Sequence, residues 1–528
     1  MASLEQPAGE ATDPAGAGIL DLYRSVWQVG RETLIRYRIA IVVELFLIAA
    51  WFVLRTEFSV ESRAYLAWAI VAAGVAMISP ASGLVILVAT APFYEPVSLS
   101  RVLGMRHFLV AVLGISVLLR LVLGGWRRMP WPAPVRVAIG VGVVTGLGVA
   151  NTWRLFPSEW ATVATQTWLA TIGGAMVLLL VGLWVAATGS RRVIVLAVAS
   201  SSIAVALSCV ELIAPGSISN SSLIWIGFWK DFTPRLGGVI ASPNGMAALA
   251  VMPVCVLTAV AVLGGGRVLR VVATVGASAL FVAMYLTYSR AALLSLFALA
   301  VVVAWRLHRR FGQAVFAVGI VAGILLFPTY LQLRSQAGAV GAAEPGSFLV
   351  ANDGERINAW LTAVAMWRDQ PFTGQGFLAY KQLGDAFGDP VLSSPHNEWL
   401  RLFAEEGVVG GLLGLAFVAT TLSWLSHGRG AVAPGILAGT AGYFTMATFN
   451  NPYLFIQVSA VVFPLVAYAL VSAARARDRD STGQPEPTPD AAAEATSRQR
   501  ALSRLARMRN GGRAQSDSAA DETPGPAP

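Results

Sequence analysis

The sequence predicts an all-α protein. It reads as a polytopic transmembrane helical bundle of about 12–14 spans, with one large extracytoplasmic loop carrying an interfacial helix. Three observations lead there. The chain is 56% hydrophobic and 13% charged, with a mean hydropathy of +0.64, whereas a soluble domain carries roughly 25% charged residues. Its apolar residues come in runs of roughly 16–25 rather than in amphipathic stripes. The basic residues gather in every second connection between runs, as the positive-inside bias requires.

Fourteen segments fit as spans: 39–54, 64–79, 82–96, 107–124, 134–152, 168–188, 193–213, 240–263, 271–287, 291–305, 311–328, 403–425, 431–448 and 453–473. Residues 271–305 would make one helix of roughly 52 Å, against about 30 Å of hydrocarbon. Tyr288-Ser289-Arg290 breaks that run with a charge, so two spans joined by a tight turn are expected. Arg127-Arg128, Arg191-Arg192, Arg267 with Arg270, Arg306 with Arg309-Arg310, and Arg429 mark the cytoplasmic connections. Four features then face outside: loop 214–239, the Arg290 turn, loop 329–397 and the Asn450-Asn451-Pro452 turn.

The organisation that follows is a cytoplasmic N-terminal segment 1–37, a transmembrane bundle 38–328, an extracytoplasmic catalytic loop 329–397, C-terminal transmembrane helices 398–474 and a disordered cytoplasmic tail 475–528. No apolar leader precedes the first span, which is expected to act as an uncleaved anchor. The net charge of +9 and pI of about 9.9 would raise nucleic acid in a soluble protein. Here the charge orients spans, and no nucleic-acid partner is expected. Cys209 and Cys255 both fall in apolar spans, which argues against a disulfide framework.

The polar residues on the outer side form one pattern. Thr-Pro-Arg235-Leu-Gly-Gly is followed by Ser242-Pro243-Asn244, a helix-start signature that hangs Arg235 above the bilayer. Arg290 sits in an apolar stretch and is costly to place without an anionic partner. In the long loop, Asp353 can cap a helix whose apolar positions Ile357, Trp360, Leu361, Val364 and Trp367 make one stripe, lying flat at headgroup level. Pro371 ends it, and Thr-Gly374-Gln-Gly376 reads as a flexible turn.

His396 is one of four histidines. Pro395 disfavours helix before it and Asn397 is a good N-cap, so the imidazole stands at a helix start, whose free N–H donors favour a phosphate nearby. Three guanidiniums, of Arg235, Arg290 and Arg356, suit a pyrophosphate because each can donate a bidentate pair. Glu405 would lie on the opposite face of a continuous helix from His396, which makes it a supporting residue.

Taken together these residues resemble the O-antigen ligase/O-antigen polymerase superfamily of bacterial membrane glycosyltransferases. The resemblance is carried by His396-Asn397-Glu-Trp-Leu400 through Glu405-Glu-Gly407-Val-Val-Gly410. Arg235-Leu-Gly-Gly with Pro243-Asn244, Ser289-Arg290-Ala-Ala, and Arg356 with Trp360, Pro371, Gly374 and Gly376 add to it. It implies an inverting transferase in the bacterial plasma membrane, with both termini cytoplasmic and the active site outside. The transferase would need no cofactor and no metal. Its donor would be a glycan on undecaprenyl pyrophosphate and its acceptor a glycan, lipid or protein hydroxyl, all amid membrane lipids. By motif, Arg235, Arg290 and Arg356 would hold the pyrophosphate and His396 would activate the acceptor. Asn244, Asn397, Glu405, Gly374 and Gly376 would support them.

Three rivals stand beside this. A metal-dependent transferase could use Asp353-Gly-Glu355. A transporter of a lipid-linked or anionic substrate would keep ionisable residues within its spans, where the sequence shows little beyond Glu44 and Glu211. A scaffold of envelope assembly would use the outer loop for docking.

Overall fold

The computed structural model describes residues 37–56, 62–93, 104–125, 129–188, 192–213, 242–264, 266–287, 289–321, 325, 347–388, 394–449 and 455–482. Among them the only regular elements are helices. In chain order they are α1 (Tyr37–Thr56), α2 (Ser62–Ile78), α3 (Pro80–Thr90), α4 (Met105–Val122), α5 (Ala133–Leu155), α6 (Ser158–Ala187, with one π turn at Leu169–Gly173) and α7 (Arg192–Ile213). Then come α8 (Pro243–Leu263), α9 (Arg267–Leu286), α10 (Arg290–Leu307), α11 (309–321) and α12 (Ser347–Asp369). The last are α13 (Tyr380–Phe387), α14 (Glu398–Leu425), α15 (Val432–Ala447) and α16 (Ile456–Thr482). Residues 1–474 form one unit and 475–528 a second, of which 475–482 are described, as helix.

Each of the fourteen expected spans overlaps a helix, and the run 271–305 divides at 287–289 as expected. Among the described residues, eight helices are long and apolar enough to cross a membrane; four more, within α1, α2, α3 and α10, are apolar but shorter. α3 is the shortest helix that overlaps an expected span between 39 and 305. It has 11 residues, about 16 Å of helix, too short for about 30 Å of hydrocarbon.

The spans also hold more buried charge than the sequence led us to expect. Glu44 of α1 pairs with Arg192 at 2.6 Å. Arg120 of α4 caps the end of α2, its guanidinium donating to the carbonyls of Met77 at 2.7 Å and Ile78 at 2.9 Å. Those carbonyls have no partner within their own helix, and the α2 C-terminus carries partial negative charge. Glu211's side chain lies outside the described residues.

α8, α10 and α15 are built for close approach. Gly435, Gly439 and Gly442 of α15 face Cys255 with Val256, then Met252, then Val251 with Ser295. Falling numbers on α8 against rising numbers on α15 make the pair antiparallel. Ser295 Oγ of α10 donates to the Gly442 carbonyl at 3.0 Å. At the other end, Arg306 of α10 donates to the Ser426 carbonyl at 2.8 Å. α10 is therefore also antiparallel to α15. Small residues let the backbones meet where lipid offers no hydrophobic drive. The N-termini of α8 and α10 consequently share one end of the bundle with the C-terminus of α15.

Candidate active site

That end is where the candidate residues lie. α14 begins there, with Asn397 as N-cap; its side-chain oxygen accepts from the amides of Trp399 and Leu400, each at 3.1 Å. Trp399 Nε1 donates to Thr448 Oγ1 at 3.0 Å, which ties the start of α14 to the end of α15. The expected helix start at Asn397 is present, but the amides of Trp399 and Leu400 serve the cap, which leaves fewer free N–H donors beside His396 than the sequence implies.

His396 itself has φ of 49°, one of two non-glycine residues with positive φ among those described. A residue held in that sparse region costs of order 1–3 kcal/mol unless its surroundings fix it. Here they do. The His396 amide donates to Ser394 Oγ at 3.3 Å, and Trp360 Nε1 of α12 donates to the Pro395 carbonyl at 2.9 Å. One helical turn before Trp360, Arg356 donates to the Phe449 carbonyl at 3.4 Å, just past the end of α15. α12 thus reaches both the histidine segment and the end of α15, and brings Arg356 to the same mouth as His396. Asn244, second residue of α8, is half-buried at that end, where Ser242 caps α8 by accepting from the Gly245 amide at 3.2 Å. Arg235 lies outside the described residues, and of Arg290 only its place as first residue of α10 is described.

α12 differs from expectation at its start. It starts at Ser347, so Asp353 is interior and does not cap it. Its buried face is Ala359, Thr362, Ala363 and Met366, packed toward α14. The larger stripe turns outward, with Ile357 54% and Leu361 62% exposed.

The Gly374 turn is not flexible; it is a buried brace. α14 kinks at Gly407 (φ 68°, ψ −167°), which breaks the helix ladder. The loop fills the broken positions. Gln375 N donates to Ala404 O at 3.0 Å, Gly376 N to Glu405 O at 2.9 Å, and Val408 N to Pro371 O at 2.8 Å. Gly374 (φ 64°) and Gly376 (φ 98°) need left-handed backbone here, and a Cβ on Gly374 would overlap the Glu405 carbonyl. On its other side the loop is held to α5, Phe377 N donating to Gly148 O at 3.2 Å and Thr152 Oγ1 to Phe377 O at 2.9 Å.

Under the brace sits an ion cluster that the sequence reading passed over. Arg401, 3% exposed, donates to Glu398 at 2.6 Å and to Glu405, and its guanidinium lies 5.2 Å from the Phe377 ring centroid. Glu405 also accepts from the Tyr380 amide at 3.3 Å. It therefore serves the fold, locking the kinked helix to loop 377–380. The 3-then-4 spacing of 398, 401 and 405 was a readable signal. Glu406 lies against α5, in space that exists because residue 148 is glycine; its Oε1 is buried without a hydrogen-bond partner. Among the described residues, no three His, Cys, Asp or Glu side chains are grouped to hold a metal ion.

No curated protein matches the chain significantly. Residues 275–415 match the family model described as O-antigen ligase. The match takes in Arg290, Arg356, Gly374, Gly376, His396, Asn397 and Glu405, and leaves Arg235 and Asn244 outside it. This domain match supports the O-antigen ligase/polymerase superfamily of membrane glycosyltransferases for residues 275–415.

Proposed function

We propose that the protein is an extracytoplasmic, inverting transferase that moves a glycan from undecaprenyl pyrophosphate to an acceptor hydroxyl, as an O-antigen ligase or polymerase does, without a metal. The observation that carries this reading is the convergence at one mouth of the His396 segment, Arg356 and the start of α10 at Arg290. In the step we envisage, the imidazole of His396 takes the acceptor proton as the acceptor oxygen attacks the anomeric carbon. The carbon–oxygen bond to the pyrophosphate breaks on the opposite face, and the leaving diphosphate keeps the electron pair. Its growing charge falls on the guanidiniums of Arg290 and Arg356, with Arg235 from the preceding loop. A positioned base is worth about 10²–10⁴ in rate. In this reading the Trp360–Pro395 bond fixes the histidine backbone, and Asn244, Asn397, Gly374 and Gly376 hold the frame.

The test is glycan transfer in proteoliposomes loaded with a polyprenyl-pyrophosphate glycan. His396→Ala should remove transfer while the variant still inserts. Wild-type product from it would take the imidazole out of the mechanism. The buried, unpartnered Glu406 Oε1 favours one rival, since transporters keep such groups inside their spans. Substrate uptake by the same vesicles, with no transfer, would support that rival instead.

A further inference from the structure

α8, α10 and α14 begin at the mouth, and of these three α10 begins without a side-chain cap. Ser242 and Asn397 accept from the first-turn amides of α8 and α14. Ser289, the N-cap of α10, makes no such bond. Its hydroxyl has no hydrogen-bond partner, although the residue is 3% exposed. A serine here ordinarily contributes about 1 kcal/mol by capping, and a buried hydroxyl left unpaired costs about 1–3 kcal/mol. The fold uses the carbonyl of Ser289, which accepts from Ala292 at 3.1 Å and Leu293 at 3.3 Å. It leaves the hydroxyl unused.

We infer that the Ser289 hydroxyl and the first two amides of α10, those of Arg290 and Ala291, form a subsite for one phosphoryl group of a diphosphate. This rests on the proposed donor site and adds a neutral, directional part to its arginines. Backbone amides only donate, so the ligand must be acceptor-rich at that point. The helix N-terminus carries roughly half a positive charge, which selects an anion. Arg290 opens the same helix, and Arg356 reaches the same mouth, so the anion that fits is multiply charged. The Ser289 O–H would donate to one non-bridging oxygen while the amides hold another, leaving the second phosphoryl group to the guanidiniums.

The experiment is equilibrium binding of inorganic pyrophosphate to the detergent-solubilised full chain. Wild type is compared with Ser289→Ala, Ser289→Asp and Arg290→Ala, and thermal midpoints are measured in parallel. Ser289→Ala should weaken binding about tenfold, the size of one hydrogen bond to a charged group. Ser289→Asp is the sharper variant. Aspartate is as good an N-cap as serine, so the midpoint should hold or rise while binding disappears. Should that variant fold poorly, Ser289→Ala decides alone. Pyrophosphate binding at wild-type strength in both Ser289 variants, with Arg290→Ala defective, overturns the subsite and leaves the arginine clamp standing. Wild-type protein that binds no pyrophosphate overturns both. Displacement of pyrophosphate by an equal amount of phosphatidylglycerol would assign the pocket to a phospholipid headgroup and reject the diphosphate.

Discussion

α14 and α10 start at the same end of the bundle and treat their first turns in opposite ways. α14 is capped by Asn397, tied to α15 through Trp399 and cemented by Glu398, Arg401 and Glu405. α10 leaves the hydroxyl of its capping serine idle in a buried place. Both starts come from residues that cap well, so residue type does not separate them. Where the fold consumes its polar groups, the region is scaffold. Where it strands one at a helix start beside the mouth, as at Ser289, the proposed ligand is its partner.

The largest expected effect is on chemistry. His396→Ala should cost about 10²–10⁴ in transfer rate while the thermal midpoint stays near wild type, because the cap belongs to Asn397 and not to the imidazole. A fall in both would mean that His396 is scaffold too, and the contrast between the two starts would lose its meaning. Next comes Arg401→Ala, which strands Glu398 and Glu405 in a buried site and should destabilise by about 3–5 kcal/mol in denaturant titration. A loss under about 1 kcal/mol would show that the cluster is solvated and not cement. Gly407→Ala forces a side chain into left-handed backbone against the Phe372 carbonyl and should cost at least about 1–3 kcal/mol by the same measurement. The smallest pair is the most diagnostic. Asn397→Ala should cost about 0.5–2 kcal/mol, as a lost cap does. Ser289→Ala should cost less than about 0.5 kcal/mol or stabilise slightly, since it removes an unpaired hydroxyl. Equal losses at the two sites would erase the difference.

Much of the scaffold could be read from local sequence. The apolar runs, the break before Arg290, the Ser242-Pro243 start and the Asn397 cap are all short-range features, and they fold as their neighbours dictate. The errors are long-range or come from competing starts. Asp353 is a sound N-cap by type, yet the helix begins six residues earlier, at Ser347. The turn at Gly374 and Gly376 looked flexible because the partners of Gln375 and Gly376, at Ala404 and Glu405, lie some thirty residues on, and only the Gly407 kink makes those carbonyls available. The pairing of Trp360 with Pro395 spans a loop in the same way. Ser289 carried no warning at all. A serine before a helix announces a cap, and only packing shows that the cap is not made.

The central claim is that the mouth holding Arg356, His396 and the start of α10 opens outside the cell and receives the lipid-linked donor. It is tested most directly by a single cysteine in place of Ser394, a half-buried residue beside His396, with Cys209 and Cys255 replaced. The account predicts that a membrane-impermeant maleimide labels this cysteine on intact cells, and that a polyprenyl diphosphate slows the labelling. Labelling that appears only after the membrane is permeabilised, or that is indifferent to the diphosphate, would contradict it.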